Sequence, residues 1–147
     1  QDTLVLLVNE RYKIPENLYI DHNVFQLASS NMITPDIRIY SAEGSTPTLR
    51  VQFYTQEEKP VYDNMDFNWN YKNDTLRFDN YIKLAGQWRA QRVTLTLYLP
   101  ENKKVLLPSQ TSQYLRNLRD FDRGVRSRLN KDKILLIMQD GKLHPLM

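Results

Sequence analysis

Side chains alternating between apolar and polar with a period of two recur through this chain, and that period constrains the fold more than any other feature. A strand sends successive side chains to opposite faces, so a half-buried strand must alternate. Leu49, Val51 and Phe53 alternate with Arg50, Gln52 and Tyr54, and Val93, Leu95, Leu97 and Leu99 with Thr94, Thr96 and Tyr98. Phe67, Trp69 and Tyr71 alternate with Asn68 and Asn70, which sets three rings on one face, where a core wall is expected before a ligand platform. Shorter strands follow from Ile37 and Ile39 beside Arg38 and Tyr40, and from Leu76 and Phe78 beside Arg77 and Asp79. The runs Thr3–Val8 and Lys133–Gln139 are apolar on both faces, as in strands covered on both sides or in segments that periodicity alone does not resolve. Turn-forming residues separate the runs, at Glu43-Gly44-Ser45, Lys59-Pro60, Asn73-Asp74, Ala85-Gly86 and Pro100-Glu101-Asn102. Asp140-Gly141 is the strongest hairpin signal, because both central residues of a type I′ turn need positive φ. One short helix is expected near 110–119, where Tyr114, Leu115 and Leu118 have helical spacing behind Ser109 or Thr111. The fold class is therefore all-β.

The 147 residues suffice for one domain spanning 1–147, and no linker or low-complexity run divides them. With 41% hydrophobic and 25% charged residues, the chain has globular rather than disordered usage. The longest aliphatic runs, Leu4–Val8 and Ile134–Met138, are far shorter than the roughly 20 residues of a spanning helix. Cysteine is absent, which removes disulfides, thiolate metal sites and thiol nucleophiles. No basic-then-apolar leader precedes Gln1, so the chain is expected to be either a mature product or, the favoured reading, a piece of a longer protein. Thr-Leu opens a strand at Thr3, Thr48, Thr75 and Thr94, and Pro-Glu-Asn recurs at Pro15–Asn17 and Pro100–Asn102. Such worn, irregular repeats fit the coils of a solenoid with inserted loops, while a β-sandwich also accommodates short strands and turns.

No constellation for catalysis stands out. His22 and His144 lack companions at metal-ligand or triad spacing. Asp120-Phe121-Asp122-Arg123-Gly124 begins like a calcium loop, but Gly124 replaces an oxygen ligand and Lys131 stands where the bidentate glutamate belongs. The acidic pairs Glu57/Glu58, Asp63/Asp66 and Asp120/Asp122 lie in segments that read as loops, where carboxylates are ordinary. Neither an enzyme nor a cofactor or metal is expected.

Charge is more informative. Residues 1–74 hold 6 basic and 11 acidic side chains, and the remainder 14 and 6. Arg116, Arg119, Arg123, Arg126, Arg128, Lys131 and Lys133 form a candidate surface for anionic lipid or nucleic acid. Phe121 is the one aromatic inside that stretch and three aspartates dilute it, so a nucleic-acid partner is not favoured. Edge protection against strand pairing is the plainer reading. Among nine tyrosines, Tyr40 and Tyr54 are the candidate aromatic platform for a glycan.

The text Asn73-Asp74-Thr75-Leu76-Arg77-Phe78-Asp79, then Trp88 and Arg92–Val105, resembles the C-terminal region of bacterial phage-shock-protein-C-type envelope proteins, within the adhesin-like and toastrack superfamily. The shared pattern is a strand after a polar turn, a tryptophan, a strand reading V-x-L-x-L-x-L-P-x-G, and a closing methionine or tryptophan strand followed by D-G-L, for which this sequence offers Met138-Gln139-Asp140-Gly141-Lys142-Leu143. Asp2–Leu6 looks like the first strand of that family. Asn102 stands where the family has glycine, and the basic stretch 116–133 departs from the pattern. The resemblance implies a single-stranded right-handed β-solenoid on the periplasmic or outer side of a membrane, attached to a transmembrane part. It carries no catalytic residues. It implies a sensory or interaction module with a protein partner or a homo-oligomeric contact, for which Thr3–Val8 and the Lys133–Leu143 hairpin are the expected caps or edges.

Overall fold

Strands form where the period-two text stands, and their pairing was not visible in it. The computed structural model describes residues 3–12, 32–55, 65–85, 90–126, 128–129 and 133–146. His22, Trp88 and Lys131, together with the Lys59-Pro60 turn and the Glu57/Glu58 pair, lie outside the described residues. The strands are β1 (Thr3–Asn9), β2 (Met32–Ile33), β3 (Asp36–Ala42), β4 (Thr48–Tyr54), β5 (Met65–Asp66) and β6 (Trp69–Lys72). They continue with β7 (Thr75–Asp79), β8 (Ile82–Leu84), β9 (Arg92–Pro100), β10 (Lys104–Leu107), β11 (Ile134–Gln139) and β12 (Lys142–Pro145).

Three sheets result: sheet A in the order β12-β11-β10-β1-β7-β6, sheet B as β2-β8-β5, and sheet C as β3-β9-β4. The chain passes through them in courses. The first course visits A, B and C through β1, β2 and β3; the second returns through β4, β5 and β6; the third goes out again through β7, β8 and β9. In sheets A and C the third course lies between the first and the second, parallel to the first and antiparallel to the second. In sheet B the two-residue β2 runs against β8. A uniformly wound solenoid would run every course in the same sense; here the middle one is folded back. One apolar core joins all three sheets, with Leu4, Leu6, Leu76 and Phe78 from A, Ile33, Ile82 and Leu84 from B, and Ile37, Ile39, Leu95 and Leu97 from C. Full burial of such side chains is worth about 1.5–3 kcal/mol each.

Turn chemistry explains the hairpins. Asn73 and Asp74 join β6 to β7 at φ of 54° and 57°, and Asp140 and Gly141 join β11 to β12 at 53° and 80°. Both are two-residue turns with positive φ at each central position, the geometry that follows the strand twist. Asn102, in the turn after β9, has φ 70°, so asparagine there serves the left-handed conformation that glycine ordinarily supplies.

Polar side chains tie the courses together at the corner between sheets A and B. Asp79 is 1% exposed. Its carboxylate accepts hydrogen bonds from Asn68 N of the second course at 2.8 Å, and from Arg11 Nη1 and Asn9 Nδ2 of the first at 2.9 and 3.2 Å. Arg11 also donates to both oxygens of Asp66, at 2.9 Å each, and Tyr12 Oη donates to Asp66 at 3.2 Å. Asn80 closes the knot by donating Nδ2 to Tyr12 O at 2.8 Å while its Oδ1 accepts from Tyr12 N.

Residues 108–129 close the free side of the first course. The helix expected near 110–119 is two 3-10 turns, Ser112–Tyr114 and Leu118–Asp120, and the α-helical turn α1 lies later, at Arg123–Arg126. The interruption has a cause: Leu115 forms a parallel bridge with Ile37, and Arg116 N donates to Ile37 O. The buried Asn117 amide then continues the sheet as a peptide would, accepting from Ile39 N at 3.1 Å and donating to Ile39 O at 2.6 Å. Leu115, Phe121, Val125 and Leu129 anchor this cap in the core.

The opposite end stays open among the described residues. Leu49, Val51 and Phe53 face the core from the edge strand β4 yet are only partly buried. Phe67 is buried, as a core wall requires, whereas Trp69 and Tyr71 are 40% and 46% exposed. They pair with Phe78 and Leu76, so they point to the inner face, but β6 is the outermost strand of sheet A among the described residues. Thr3–Val8 is not an edge either: β1 is flanked by β7 and β10, and it is covered on one face only, with Leu4 and Leu6 buried and Val5 and Leu7 on the other face partly exposed.

Two predictions follow from these contacts. Replacing Asn117 by alanine leaves Ile39 N–H and C=O without the amide, and unfolding in urea should show a loss of about 2–6 kcal/mol, since each unsatisfied buried group costs about 1–3 kcal/mol. Arg11 holds the Asp66 carboxyl below its ordinary range, chiefly through the hydrogen-bonded pair. The stability this contributes is present above about pH 4 and is lost as pH falls through the depressed native value. Asp66→Asn should therefore melt lower than wild type at pH 7, with the gap narrowing to nothing in strong acid.

Candidate functional site

The basic stretch divides once its packing is known. Arg116 is tied down: its Nε donates to Asp36 at 3.2 Å, its Nη1 to Gln113 O at 2.8 Å and its Nη2 to Thr34 Oγ1 at 3.4 Å. It fastens the cap to the start of β3. Arg119, Arg123, Arg126 and Arg128 are exposed, and between them Leu118, Phe121, Val125 and Leu129 turn toward the core. These cations are thus the solvent side of an amphipathic cap. Lys133 is exposed next to β11 and has an interaction partner of its own. Asp122 sits among them, accepting from Gly124 N at 3.0 Å and facing His144 Nδ1 at 3.7 Å. Four arginines are left as a loose basic rim.

Sheet C gathers a tighter group. Its inner face is core, so Arg92, Thr94, Thr96 and Tyr98 of β9 point outward with Arg38 and Tyr40 of β3 and Arg50, Gln52 and Tyr54 of β4. The register sets Arg38, Thr96 and Arg50 in one cross-strand row, with Tyr40, Tyr98 and Thr48 in the next row on that face. With neighbouring strands about 4.8 Å apart, the two arginines start about 10 Å apart on either side of Thr96. Arg50 lies over the Tyr98 ring at 5.8 Å, and Tyr98 packs against Tyr40 at 6.2 Å between centroids. Asp36, at one corner of the face, is already engaged by Arg116 at 3.2 Å.

Tyr40 and Tyr54 share this face but not a platform. Tyr40 is level with Tyr98 and Tyr54 with Arg92, six positions away along β9 and so about 20 Å at 3.4 Å per residue. Tyr40 is half-buried beside Tyr98, and the ring of Tyr54 carries the Arg92 guanidinium at 4.6 Å. The residues that sequence reasoning passed over are Arg38, Arg50 and Tyr98. Each stands in the polar phase of its strand, but only the cross-strand register brings them together.

A shallow cavity of about 210 Å³ lies near the sheet A corner, lined by Asn9, Asn68, Trp69, Asn70, Arg77 and Asp79 among others. Its most buried polar group, Asp79, is committed to the corner knot. Among the described residues no group of three or more His, Asp or Glu side chains is placed to hold a metal ion, and no helix is long and apolar enough to cross a membrane.

Neither a curated protein nor a solved structure matches the chain significantly. A family model described as the toastrack found in some PspC proteins matches residues 16–145, which takes in β2 to β12 and begins after β1. The all-β fold with its DG hairpin, the left-handed Asn102 and a family match over most of its length together make this chain a member of the toastrack family of PspC C-terminal domains.

Proposed function

We propose that this domain is the non-catalytic interaction module of a PspC-type envelope protein, lying on the extracytoplasmic side of the membrane and serving envelope-stress signalling through an acidic protein partner. Membership of the PspC toastrack family supports a membrane-associated setting. The observation that carries the partner chemistry is the row Arg38–Thr96–Arg50 beside Tyr98. Two like charges held on a flat strand surface repel each other, and a carboxylate bound between them relieves that repulsion while gaining charge-assisted hydrogen bonds. A sheet face costs little conformational entropy to present, because the ladders and core already fix it. The basic rim of the cap supports a second reading, contact with anionic lipid headgroups through Arg119, Arg123, Arg126 and Arg128.

The two readings separate by charge reversal. Titration of a Glu- and Asp-rich peptide at low salt should show binding that weakens about tenfold in Arg38→Glu, as expected when a surface pair is replaced by a repulsion of similar size. Arg123→Glu should leave peptide binding unchanged. Peptide binding that survives Arg38→Glu, or its absence at low salt, contradicts the sheet C assignment. Loss of binding to anionic vesicles in Arg123→Glu alone would place the contact on the cap instead.

A further inference from the structure

The outer face of sheet A is apolar where its inner face is already the core. The register sets Val5, Leu106 and Leu135 side by side on β1, β10 and β11, and Leu146, just past β12, completes the row by donating its N–H to Leu135 O. With strands about 4.8 Å apart, the row runs about 14 Å across the sheet. Leu7 stands on one side of it and Ile137 on the other. All six side chains are partly exposed. On the same strands Leu4, Leu6, Val105 and Leu136, which point inward, are at 0%. Single exposed leucines are ordinary, but an apolar row across four neighbouring strands marks a contact surface.

The charges around this row have one sign. Lys72 of β6 ends the row beyond Thr75, Arg77 stands beside Leu7, and Lys104 stands beside Ile137. Lys142 lies one row further along, opposite Gln139. All four are exposed, and none makes an ion pair with a described residue. The acid at a strand position on this face, Asp79, is buried and held by Arg11. Asp122, at the rim beyond β12, is engaged by Gly124 N and faces His144. Two copies of this face would oppose their cations, which disfavours a dimer through it. An anionic bilayer answers both features at once: aliphatic side chains enter the headgroup boundary, and each nearby Lys or Arg gains from the anionic surface. Long lysine stems let the ammonium groups reach phosphates while the leucines sit deeper.

We propose that the outer face of sheet A rests on an anionic lipid surface, with the row Val5–Leu106–Leu135–Leu146 at the headgroup boundary and Lys72, Arg77, Lys104 and Lys142 against lipid phosphates. The proposal shares with the reading above only the membrane-associated setting of the family. It leaves the Arg38–Thr96–Arg50 row to a protein partner, because that row belongs to a different sheet. It also differs from a contact through the arginine rim of the cap, whose apolar side chains turn toward the core.

Cosedimentation with vesicles of phosphatidylcholine and phosphatidylglycerol in equal parts, over a salt series, tests the contact, with pure phosphatidylcholine vesicles as the control. The wild-type chain should bind the anionic vesicles at low salt and ignore the neutral ones. Lys104→Glu should weaken binding about tenfold and flatten its dependence on salt. Leu135→Thr should weaken it about tenfold with the salt dependence unchanged, since the lost contact is apolar. Arg38→Glu, which tests sheet C, should leave vesicle binding as it is. Circular dichroism and melting temperature check that the variants stay folded, and Lys104 is exposed, so its replacement spares the core. No binding to anionic vesicles at low salt overturns the proposal, as does binding that both Lys104→Glu and Leu135→Thr retain or that Arg123→Glu alone removes. Vesicles ignored while a Glu- and Asp-rich peptide binds the wild type and not Lys104→Glu would give the face to a protein. A dimer that Leu135→Thr dissolves would give it to a second copy, and either result overturns the lipid contact.

Discussion

The buried Asp79 carboxylate is the interaction on which the arrangement of the three courses depends. A carboxylate removed from water is costly unless it is hydrogen-bonded and paired with a cation. Asp79 meets that demand with donors from elsewhere in the chain, a guanidinium and an amide from the first course and a backbone N–H from the second. It belongs to the third. At this corner, therefore, the order of strands is tied to one carboxylate: a course that moves away takes a donor from Asp79. Arg11 carries the link outward to Asp66, where exposure makes the contact weaker and sensitive to acid.

From that corner the molecule runs in two directions with different finish. Toward the first course, the segment 108–129 seals the core, and a single amide at Asn117 stands in for a missing strand. Toward the second course, the inner faces of β4 and β6 end with apolar side chains half in water. The sealed end is rimmed with arginines, and the other end carries β4, the outermost strand of sheet C among the described residues. Between them lies the outward face of sheet C, where β9 is fixed by neighbours on both sides and holds Thr96 and Tyr98 in register with Arg38, Arg50 and Tyr40. Function in a protein of this kind rests on what these surfaces present, and the core positions them.

Local features were legible and non-local ones were not. The strands around Leu49–Phe53 and Val93–Leu99 could be read because alternation is a property of one segment, and the Asp140-Gly141 hairpin because turn chemistry is a property of two residues. Asn102 was legible as a departure from the family pattern, and its positive φ gives the physical reason it is tolerated. The backward second course could not be read, since nothing in β4 says that its neighbour is β9 and not β3. For the same reason Phe67, Trp69 and Tyr71 looked equivalent: period two reads them as one strand, whereas Phe67 lies buried in the break between β5 and β6, and Trp69 and Tyr71 lie on β6. Arg11, Asp66 and Asp79 are separated by 55 and 68 positions in their contacts. Arg116 looked like one more cation of a patch, though its guanidinium is spent on Asp36 and two backbone carbonyls. The pair Arg38 and Arg50 needed the register of β9 to become a site at all.

If the Asp79 hub binds three courses into one rigid body, then hydrogen exchange on an Asp79→Asn variant should show amides of β3, β9 and β4 losing protection together with those at the corner, although sheet C is untouched by the substitution. Loss of protection confined to the residues around Asn9, Asn68 and Asn80, with sheet C as protected as in wild type, would contradict that account and make the corner a local fastening.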